Sequence, residues 1–182
     1  MSGITQVRWS GFGGQGVVLA GVLLGQAGMI DGRTVSASNS YGAQARGSAC
    51  KSEIIFSDRL VDFPHLLTAD ILVAMSQGSY NLYCQEVKAD SGFILYDRGM
   101  TNPREDLKLR QAGVLATESA LKKLKDKQVA NIVLLGALVE ITGIVSTRAV
   151  REAIRLHVSE RFRALNLKAL ALGMELGRGI DG

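Results

Sequence analysis

The chain has 182 residues, of which 47% are hydrophobic and 21% are charged. This length fits one domain, so we expect a single domain over residues 1–182, and the apolar fraction excludes a chain that is disordered overall. The formal net charge of +4 is far below the basic density of a dedicated nucleic-acid-binding protein, so no nucleic acid partner is expected.

The two cysteines, Cys50 and Cys84, limit the redox chemistry of the chain. An iron–sulfur cluster normally takes twice as many thiolates, and the pair does not form a CxxC motif. No disulfide framework is expected, which favours a cytoplasmic location. The N-terminus does not resemble a signal peptide, and no apolar run reaches the length of about 18 residues that would predict a membrane span. Any redox centre is therefore expected on another chain.

The first half of the chain alternates predicted strands and helices. Residues 6–10 and 34–38 read as strands, and the apolar residues 17–27 between them as a buried helix. Residues 51–56 alternate polar and apolar side chains, which is typical of a strand. Residues 71–75 form a continuous apolar run, which predicts a central parallel strand buried on both faces.

The second half becomes increasingly helical. Predicted strands cover residues 92–97 and 113–116, and predicted helices cover residues 79–88, 119–127, 130–141, 147–158 and 159–176. This order predicts the α/β class, with an open, mainly parallel twisted sheet flanked by helices and a helical C-terminal tail. The apolar helices either cover both faces of the sheet or leave apolar surface for a partner subunit, and the sequence does not separate these alternatives.

A glycine-rich loop follows the first predicted strand and precedes the first helix. Gly11, Gly13 and Gly16 match the spacing G-x-G-x-x-G, and Gly14 and Gln15 complete the loop. Glycines let the backbone approach a phosphate closely, and the helix N-terminus offers free N–H groups and a positive dipole end. The loop is therefore a candidate pyrophosphate site, in which the Gln15 amide is also available to a ligand. The alternative is that the glycines only permit close packing of strand against helix.

A self-contained dinucleotide-binding oxidoreductase, or a nucleotide-binding module, is the alternative function for such a loop. A dinucleotide site normally has an acidic residue at the end of the second strand. The second predicted strand runs instead into Asn39 and Ser40, while Asp31 falls in a predicted turn before that strand. This gap disfavours the dinucleotide interpretation.

A second unusual loop, residues 38–48, follows the second strand. It contains Tyr41, Arg46 and Gly47. Ligands of open α/β sheets bind beyond the carboxyl ends of the strands, where both loops are expected to lie. Arg46 is suited to a phosphate or carboxylate, and Tyr41 to a ligand or a subunit interface. Taken alone, the loop also fits an ordinary solvated surface segment.

The two loops together resemble the gamma subunit of the 2-oxoacid:ferredoxin oxidoreductases. The resemblance rests on the glycine loop, on Tyr41-Gly42 and Arg46-Gly47, and on three further segments, and it runs from about residue 6 to residue 176. The further segments are residues 50–55, 70–74 and 131–137. Residues 46–53 are most similar to gamma subunits of the 2-oxoglutarate type. Ser48 departs from the family, which usually has a second glycine there.

The resemblance implies a shared reaction. The holoenzyme decarboxylates a 2-oxoacid on thiamine diphosphate, passes electrons through iron–sulfur clusters to ferredoxin, and transfers the acyl group to coenzyme A. Thiamine diphosphate lies between alpha and beta subunits, and the clusters lie in other subunits, including a ferredoxin-like one. The gamma domain is associated with coenzyme A. The isolated chain is then expected to be inactive. Within the complex it is expected to help bind coenzyme A through the residues of the two loops, which are Gly11, Gly13, Gly14, Gln15, Gly16, Tyr41, Arg46 and Gly47.

Several polar residues are expected to be structural. Ser76 is predicted to cap the helix that follows it, and Asn131 to be a buried amide that satisfies loop backbone. The cysteines are expected to be small buried side chains rather than nucleophiles, and His65 and His157 have no neighbours at metal-ligand spacing. No catalytic grouping and no metal site are predicted.

Overall fold

Six strands form one sheet. The computed structural model describes residues 3–41, 49–58 and 66–180. The strands are β1 (Thr5–Phe12), β2 (Thr34–Tyr41), β3 (Ala49–Ser57), β4 (Ile71–Ala74), β5 (Phe93–Asp97) and β6 (Arg110–Val114). Their order across the sheet is β2-β3-β1-β4-β5-β6. The pairs β1–β4, β4–β5 and β5–β6 are parallel, whereas β3 is antiparallel to both β1 and β2. The predicted mainly parallel α/β fold is confirmed, with β3 as the reversed strand of the described sheet.

Helices cover the two faces of the sheet unequally. The helices are α1 (Val17–Ile30), α2 (Gln77–Tyr83), α3 (Ala116–Ser119), α4 (Ala130–Thr142), α5 (Thr147–His157) and α6 (Glu160–Arg178). The main core joins one face of the sheet to α1, α4, α5 and α6, whereas α2 packs with a smaller apolar cluster on the other face. Within the described ranges, no helix combines the length and apolar character needed to cross a membrane.

Helix α4 lies at the centre of the main core. Residues 130–139 are all buried, because the sheet covers one side of the helix and α6 covers another. The backbones of α4 and α6 approach closely where glycines meet: a Cβ on Gly173 would overlap the carbonyl oxygen of Val133, and one on Gly136 the carbonyl oxygen of Leu170. The apolar surface of α4 is therefore buried within this chain.

The second face of β1 and β3 holds a buried ion-pair cluster that the sequence analysis does not predict. Arg8 is 1% exposed and Glu53 is 3% exposed. Arg8 Nη2 lies 2.8 Å from Glu53 Oε1, Lys51 Nζ lies 2.8 Å from the same oxygen, and Arg8 also pairs with Glu86. Arg8 Nη2 donates to the carbonyl of Leu66 at 3.1 Å. The alternation of residues 51–56 predicts one buried face, yet β3 is buried on both.

Several predicted boundaries are wrong. Strand β2 continues to Tyr41, so residues 38–41 belong to the strand rather than to the second loop. The predicted helix 79–88 is α2 followed by a 3-10 turn at Cys84–Glu86. The predicted strand 113–116 begins earlier and ends at Val114.

The predicted charged helix 119–127 is broken into short turns. It consists of the end of α3, a π-helical turn at Ala120–Leu124, and a 3-10 turn at Lys127–Val129. Lys125 has a φ of 60°, a left-handed conformation that ends the helical path. This break matters for the site, because it turns the start of the Lys127–Val129 segment towards the glycine loop.

Candidate functional site

The glycine loop joins the end of β1 to the N-terminus of α1. Gly14 and Gly16 have φ values of 91° and 74°, in the left-handed region that glycine adopts without penalty. Gly16 is the N-cap of α1 and has no side chain with which to cap this end of the helix. The N–H groups of the first turn are therefore available, and the positive end of the helix dipole lies beside the loop.

The side chain of Gln15 braces the loop against the sheet. Its Oε1 accepts from the backbone N–H of Phe12 at 2.7 Å, and its Nε2 donates to the carbonyl of Met75 at 3.0 Å. A Cβ on Gly11 would lie 2.6 Å from Gln15 Oε1 and 3.1 Å from the Met75 Cβ. The Gln15 amide, which the sequence analysis offers to a ligand, is thus engaged in holding the loop, and Gly11 makes room for it.

The side chain of Asn131 supports the glycine loop through a hydrogen bond. It is 2% exposed, lies in the first turn of α4, and donates from Nδ2 to the carbonyl of Gly16 at 3.0 Å. A Cβ on Gly16 would overlap the same amide. The prediction that Asn131 is a buried amide serving loop backbone is confirmed.

A cavity of about 420 Å³ opens beside the loop at the carboxyl edge of the parallel strands. Three of the predicted residues, Gly13, Gly14 and Gln15, form one wall. The other walls come from segments that follow β4, β5 and β6 and from the start of α4; they are Met75, Met100, Thr117, Lys127, Gln128 and Ala130. Ligands of open α/β sheets bind at this position of the fold.

The cavity favours an anion. Lys127 is exposed at its rim and makes no ion pair within the described part of the chain. The segment that leads into α4 begins here, capped by Asp126, which accepts from the Gln128 N–H at 2.8 Å. The glycine loop, which leads into the N-terminus of α1, and Lys127 therefore border one cavity. The lysine ammonium and the helix N-terminus next to the loop suit phosphate oxygens.

The second predicted loop lies mostly outside the described residues. Arg46 and Gly47 fall between residues 41 and 49, and of Tyr41 only the backbone is described. Tyr41 pairs with Cys50, which pairs in turn with Gly11. The chain therefore leaves β2 at the sheet edge that carries the glycine loop, as predicted. The roles of Tyr41, Arg46 and Gly47 stay predictions.

Other candidate residues have structural roles. Ser76 caps α2, since its Oγ accepts from the Ser79 N–H at 3.3 Å, as predicted. Cys50 and Cys84 are both buried, and burial raises the pKa of the Cys50 thiol, which disfavours the nucleophilic thiolate. His157 Nε2 lies 3.0 Å from Gln26 Oε1. Asp31 lies in the predicted turn and its carboxylate accepts from the Ser146 N–H at 2.5 Å.

Sequence reasoning missed the cavity residues contributed by other segments. Met100, Thr117 and Gln128 belong to no recognisable motif, and only tertiary structure brings them to the glycine loop. One signal was present at Lys127: the sequence places it just before the apolar run 130–141, where a helix begins.

The fold is an open, mainly parallel α/β sheet whose glycine loop leads into a helix N-terminus at the carboxyl ends of the strands, an arrangement in which α/β proteins commonly bind phosphate groups. Comparison with known proteins takes the identification further. Residues 6–176 match the family described as pyruvate ferredoxin/flavodoxin oxidoreductase. The chain belongs to this family.

Relatives narrow the assignment. The chain is 39% identical over 176 residues to the 2-oxoglutarate synthase subunit KorC of Methanocaldococcus jannaschii, covering 95% of this chain and 94% of the relative. The crystal structure of a keto/oxoacid ferredoxin oxidoreductase gamma subunit from Geobacter sulfurreducens PCA matches with a TM-score of 0.85 and 35% identity, over 97% of this chain and 99% of that one. The protein is thus a gamma subunit of a 2-oxoacid:ferredoxin oxidoreductase, and the 2-oxoglutarate type is most similar.

A longer chain contains the same fold. The 2-oxoglutarate:ferredoxin oxidoreductase from Magnetococcus marinus, solved with 2-oxoglutarate, coenzyme A and succinyl-CoA bound, matches with a TM-score of 0.89 and 21% identity. The match covers 100% of this chain but 32% of that chain. In that protein the same fold is one part of a longer polypeptide. The resemblance inferred from the two loops is confirmed, and the self-contained oxidoreductase is not supported.

Proposed function

We propose that this gamma subunit contacts coenzyme A through the glycine-loop cavity, within a complex that converts 2-oxoglutarate to succinyl-CoA and reduces ferredoxin. In this reaction the 2-oxoacid loses CO₂, two electrons pass to ferredoxin, and the acyl group joins the coenzyme A sulfur. This chain supplies binding and positioning, while partner subunits supply the redox and decarboxylation chemistry.

The observation that carries the proposal is the cavity itself. Gly13 and Gly14 expose backbone at its wall, the N-terminus of α1 lies beside it, and Lys127 stands unpaired, within the described residues, at its rim. The pyrophosphate of coenzyme A presents the charge and acceptor oxygens that such a site binds. Gln15 and Asn131 keep the loop preorganised, which reduces the entropy lost on binding.

The proposed partners are alpha and beta subunits that hold thiamine diphosphate, and a ferredoxin-like subunit that holds iron–sulfur clusters. The relatives are subunits of multi-subunit oxidoreductases, so other chains are implied. The two buried cysteines of this chain are too few for a cluster, which is consistent with clusters on a partner. Residue similarity to 2-oxoglutarate synthase subunits supports 2-oxoglutarate as the substrate.

Charge removal at the cavity rim tests the role in coenzyme A binding. Lys127→Gln removes the rim cation, and Lys125→Gln is its matched control, since Lys125 is also exposed but does not line the cavity. In the reconstituted complex, Lys127→Gln should raise the KM for coenzyme A about fivefold, as expected for one partly solvated ion pair. The KM for 2-oxoglutarate should not change, and the control should behave as wild type.

A blocking variant provides a stronger test. A Cβ on Gly13 would meet no atom of the described residues within 4 Å, so Gly13→Asp adds a carboxylate to a residue of the cavity wall without overlap at the Cβ. The KM for coenzyme A should rise tenfold or more through charge repulsion. Gly3→Asp is the control, because its Cβ also has open space. An unchanged KM in both Gly13→Asp and Lys127→Gln would overturn the proposed site.

A further inference from the structure

A second cavity, of about 370 Å³, lies between the segment after β5 and strand β6. It is lined by Tyr96, Arg98, Thr101, Asn102, Pro103 and Gly113. Tyr96 points to the α2 face of the sheet, where its ring meets that of Tyr80 edge to face with centroids 6.2 Å apart. Met100, which directly precedes Thr101, lines the glycine-loop cavity. The segment after β5 therefore separates two cavities.

Thr101 places an unsatisfied hydroxyl in this region. The residue is 4% exposed, and its Oγ1 is buried without a hydrogen-bond partner among the described residues. A buried polar atom that lacks a partner destabilises the folded chain, and such atoms are rare in native proteins. Thr101 lines the cavity, but its Oγ1 has almost no accessible surface, so a bound group would be contacted by the other lining side chains.

Arg98 supplies an uncompensated positive charge. It is exposed and forms no ion pair with any described residue, whereas Arg104 on the same segment is paired with Asp106 at 2.5 Å. The backbone N–H of Arg98 donates to the carbonyl of Val114 at 2.8 Å, which fixes the start of its side chain at the cavity. One arginine of the segment is thus neutralised and the other is left free for a ligand.

Glycine at position 113 keeps the cavity open. A Cβ there would lie 2.8 Å from the hydroxyl oxygen of Tyr96, so any larger residue would intrude on this group. The Tyr96 hydroxyl has no hydrogen bond to the described part of the protein. None of the lining side chains is acidic. The lining therefore offers the Arg98 guanidinium, the Tyr96 hydroxyl and the Asn102 amide.

We propose that this second cavity binds an anion, through a carboxylate or phosphate group, independently of the glycine-loop cavity. The Arg98 guanidinium matches the paired oxygens of either group, and the Tyr96 hydroxyl and the Asn102 side-chain amide donate to the remaining acceptors. The two ligand chemistries share these donors and are separated by experiment. The proposal does not depend on coenzyme A binding, since the two cavities have no lining residue in common.

Titration of the isotopically labelled full chain tests the proposal. Backbone amide resonances are followed by NMR while inorganic phosphate or succinate is added at constant ionic strength. We expect saturable shifts at residues 98–102 and 113 with at least one of the anions. Saturation by phosphate alone assigns a phosphate-bearing ligand, and saturation by succinate alone assigns a carboxylate. Absence of saturable shifts with both anions overturns the proposal.

Matched variants show whether Arg98 makes the site. Arg98→Gln should raise the dissociation constant for the anion about tenfold or more, as expected for loss of a charge-assisted hydrogen bond. Lys108→Gln, which removes an exposed cation of the same segment that does not line the cavity, should leave the dissociation constant unchanged. Equal weakening in both variants would reveal non-specific charge attraction and overturn the site.

Tyr96→Phe separates a ligand-binding role from a structural one. Phenylalanine keeps the ring but lacks the hydroxyl, which has no partner among the described residues, so the Tm of the free chain should not change. The same variant should bind the anion several-fold more weakly. A lower Tm with unchanged anion affinity would show that the hydroxyl is structural and would contradict its assigned role.

Discussion

Gly16 connects the loop before α1 to helix α4 through the single side chain of Asn131. Its carbonyl accepts from Asn131 Nδ2 at 3.0 Å, and its Cα leaves no room for a methyl group beside that amide. The loop geometry thus depends on a residue 115 positions away in the sequence. A preorganised anion site requires such support, because a loop free to move would lose entropy on binding.

Alanine at two glycines of the loop separates steric overlap from backbone strain. Gly14→Ala, at φ 91°, meets no atom within 4 Å and should cost about 1–2 kcal/mol from backbone strain alone. Gly16→Ala, at φ 74°, adds overlap with Asn131 and should cost about 3 kcal/mol. Urea unfolding measures both. Adding Asn131→Ala to Gly16→Ala should cost less than the sum of the single changes, and strict additivity would show that the overlap is unimportant.

The buried carboxyl group of Glu53 makes the free energy of unfolding depend on pH. Burial raises the pKa of its carboxyl, but hydrogen bonds and charge attraction from Lys51 and Arg8 outweigh burial and lower the pKa overall. A carboxyl whose pKa is lower in the folded state stabilises the fold above its unfolded pKa of about 4.3, and this contribution disappears as pH falls through the folded value. Acid should therefore weaken the β1–β3 region.

Glu53→Gln should flatten the acid limb of the stability profile. It leaves Arg8 buried with only part of its compensation, so we expect a loss of up to about 3 kcal/mol at neutral pH. The difference from wild type should shrink below about pH 4, where wild-type Glu53 also loses its charge. Urea midpoints across this range provide the measurement. Glu105→Gln is the control, because Glu105 is exposed and unpaired in the described chain, and parallel profiles for Glu53→Gln and wild type would contradict the account.

At the scale of elements, the contact of α4 with α6 depends on glycine. A methyl group on Gly173 would overlap the backbone of α4, which cannot yield as a flexible side chain can. Gly173→Ala should destabilise the chain by about 3 kcal/mol, although alanine raises helix propensity by about 1 kcal/mol. Gly179→Ala is the matched control at the end of α6, where a Cβ would lie 3.7 Å from its nearest atom. Equal Tm values for the two variants would contradict close helix packing.

Elements with one dominant signal were predictable from sequence. The continuous apolar run 71–75 corresponds to β4, paired on both sides by parallel strands. The apolar run 130–141 corresponds to α4 within one residue at its end. In both cases burial on all sides requires apolar residues throughout, and no competing interaction obscures the pattern.

Elements governed by tertiary interactions were not predictable. Glu53 in β3 reads as a solvent-facing residue, yet it is buried because Arg8 of β1 lies beside it. The charged run 119–127 reads as one helix, yet Lys125 adopts a left-handed conformation. The glycine loop was identifiable from local spacing, whereas the opposite wall of its cavity, which includes Met100 and Lys127, comes from distant segments.

At the scale of the whole molecule, the fold buries the apolar helix α4 within the chain and presents two cavities beside the segment that follows β5. Gln15, Asn131 and Ser76 all serve structure, and the cysteines are buried. This arrangement suits a subunit that binds and positions a ligand for chemistry on partner chains. We therefore expect the isolated chain to reduce no acceptor dye with any 2-oxoacid.

The most direct measurement is coenzyme-A-dependent reduction of a viologen dye by the complex that purifies with a tagged form of this chain. The assay compares 2-oxoglutarate, pyruvate and branched 2-oxoacids. The account predicts dye reduction with 2-oxoglutarate that requires coenzyme A, and co-purification of a thiamine-binding chain with a cluster protein. A complex inactive with every 2-oxoacid, or activity in the isolated chain, would contradict it.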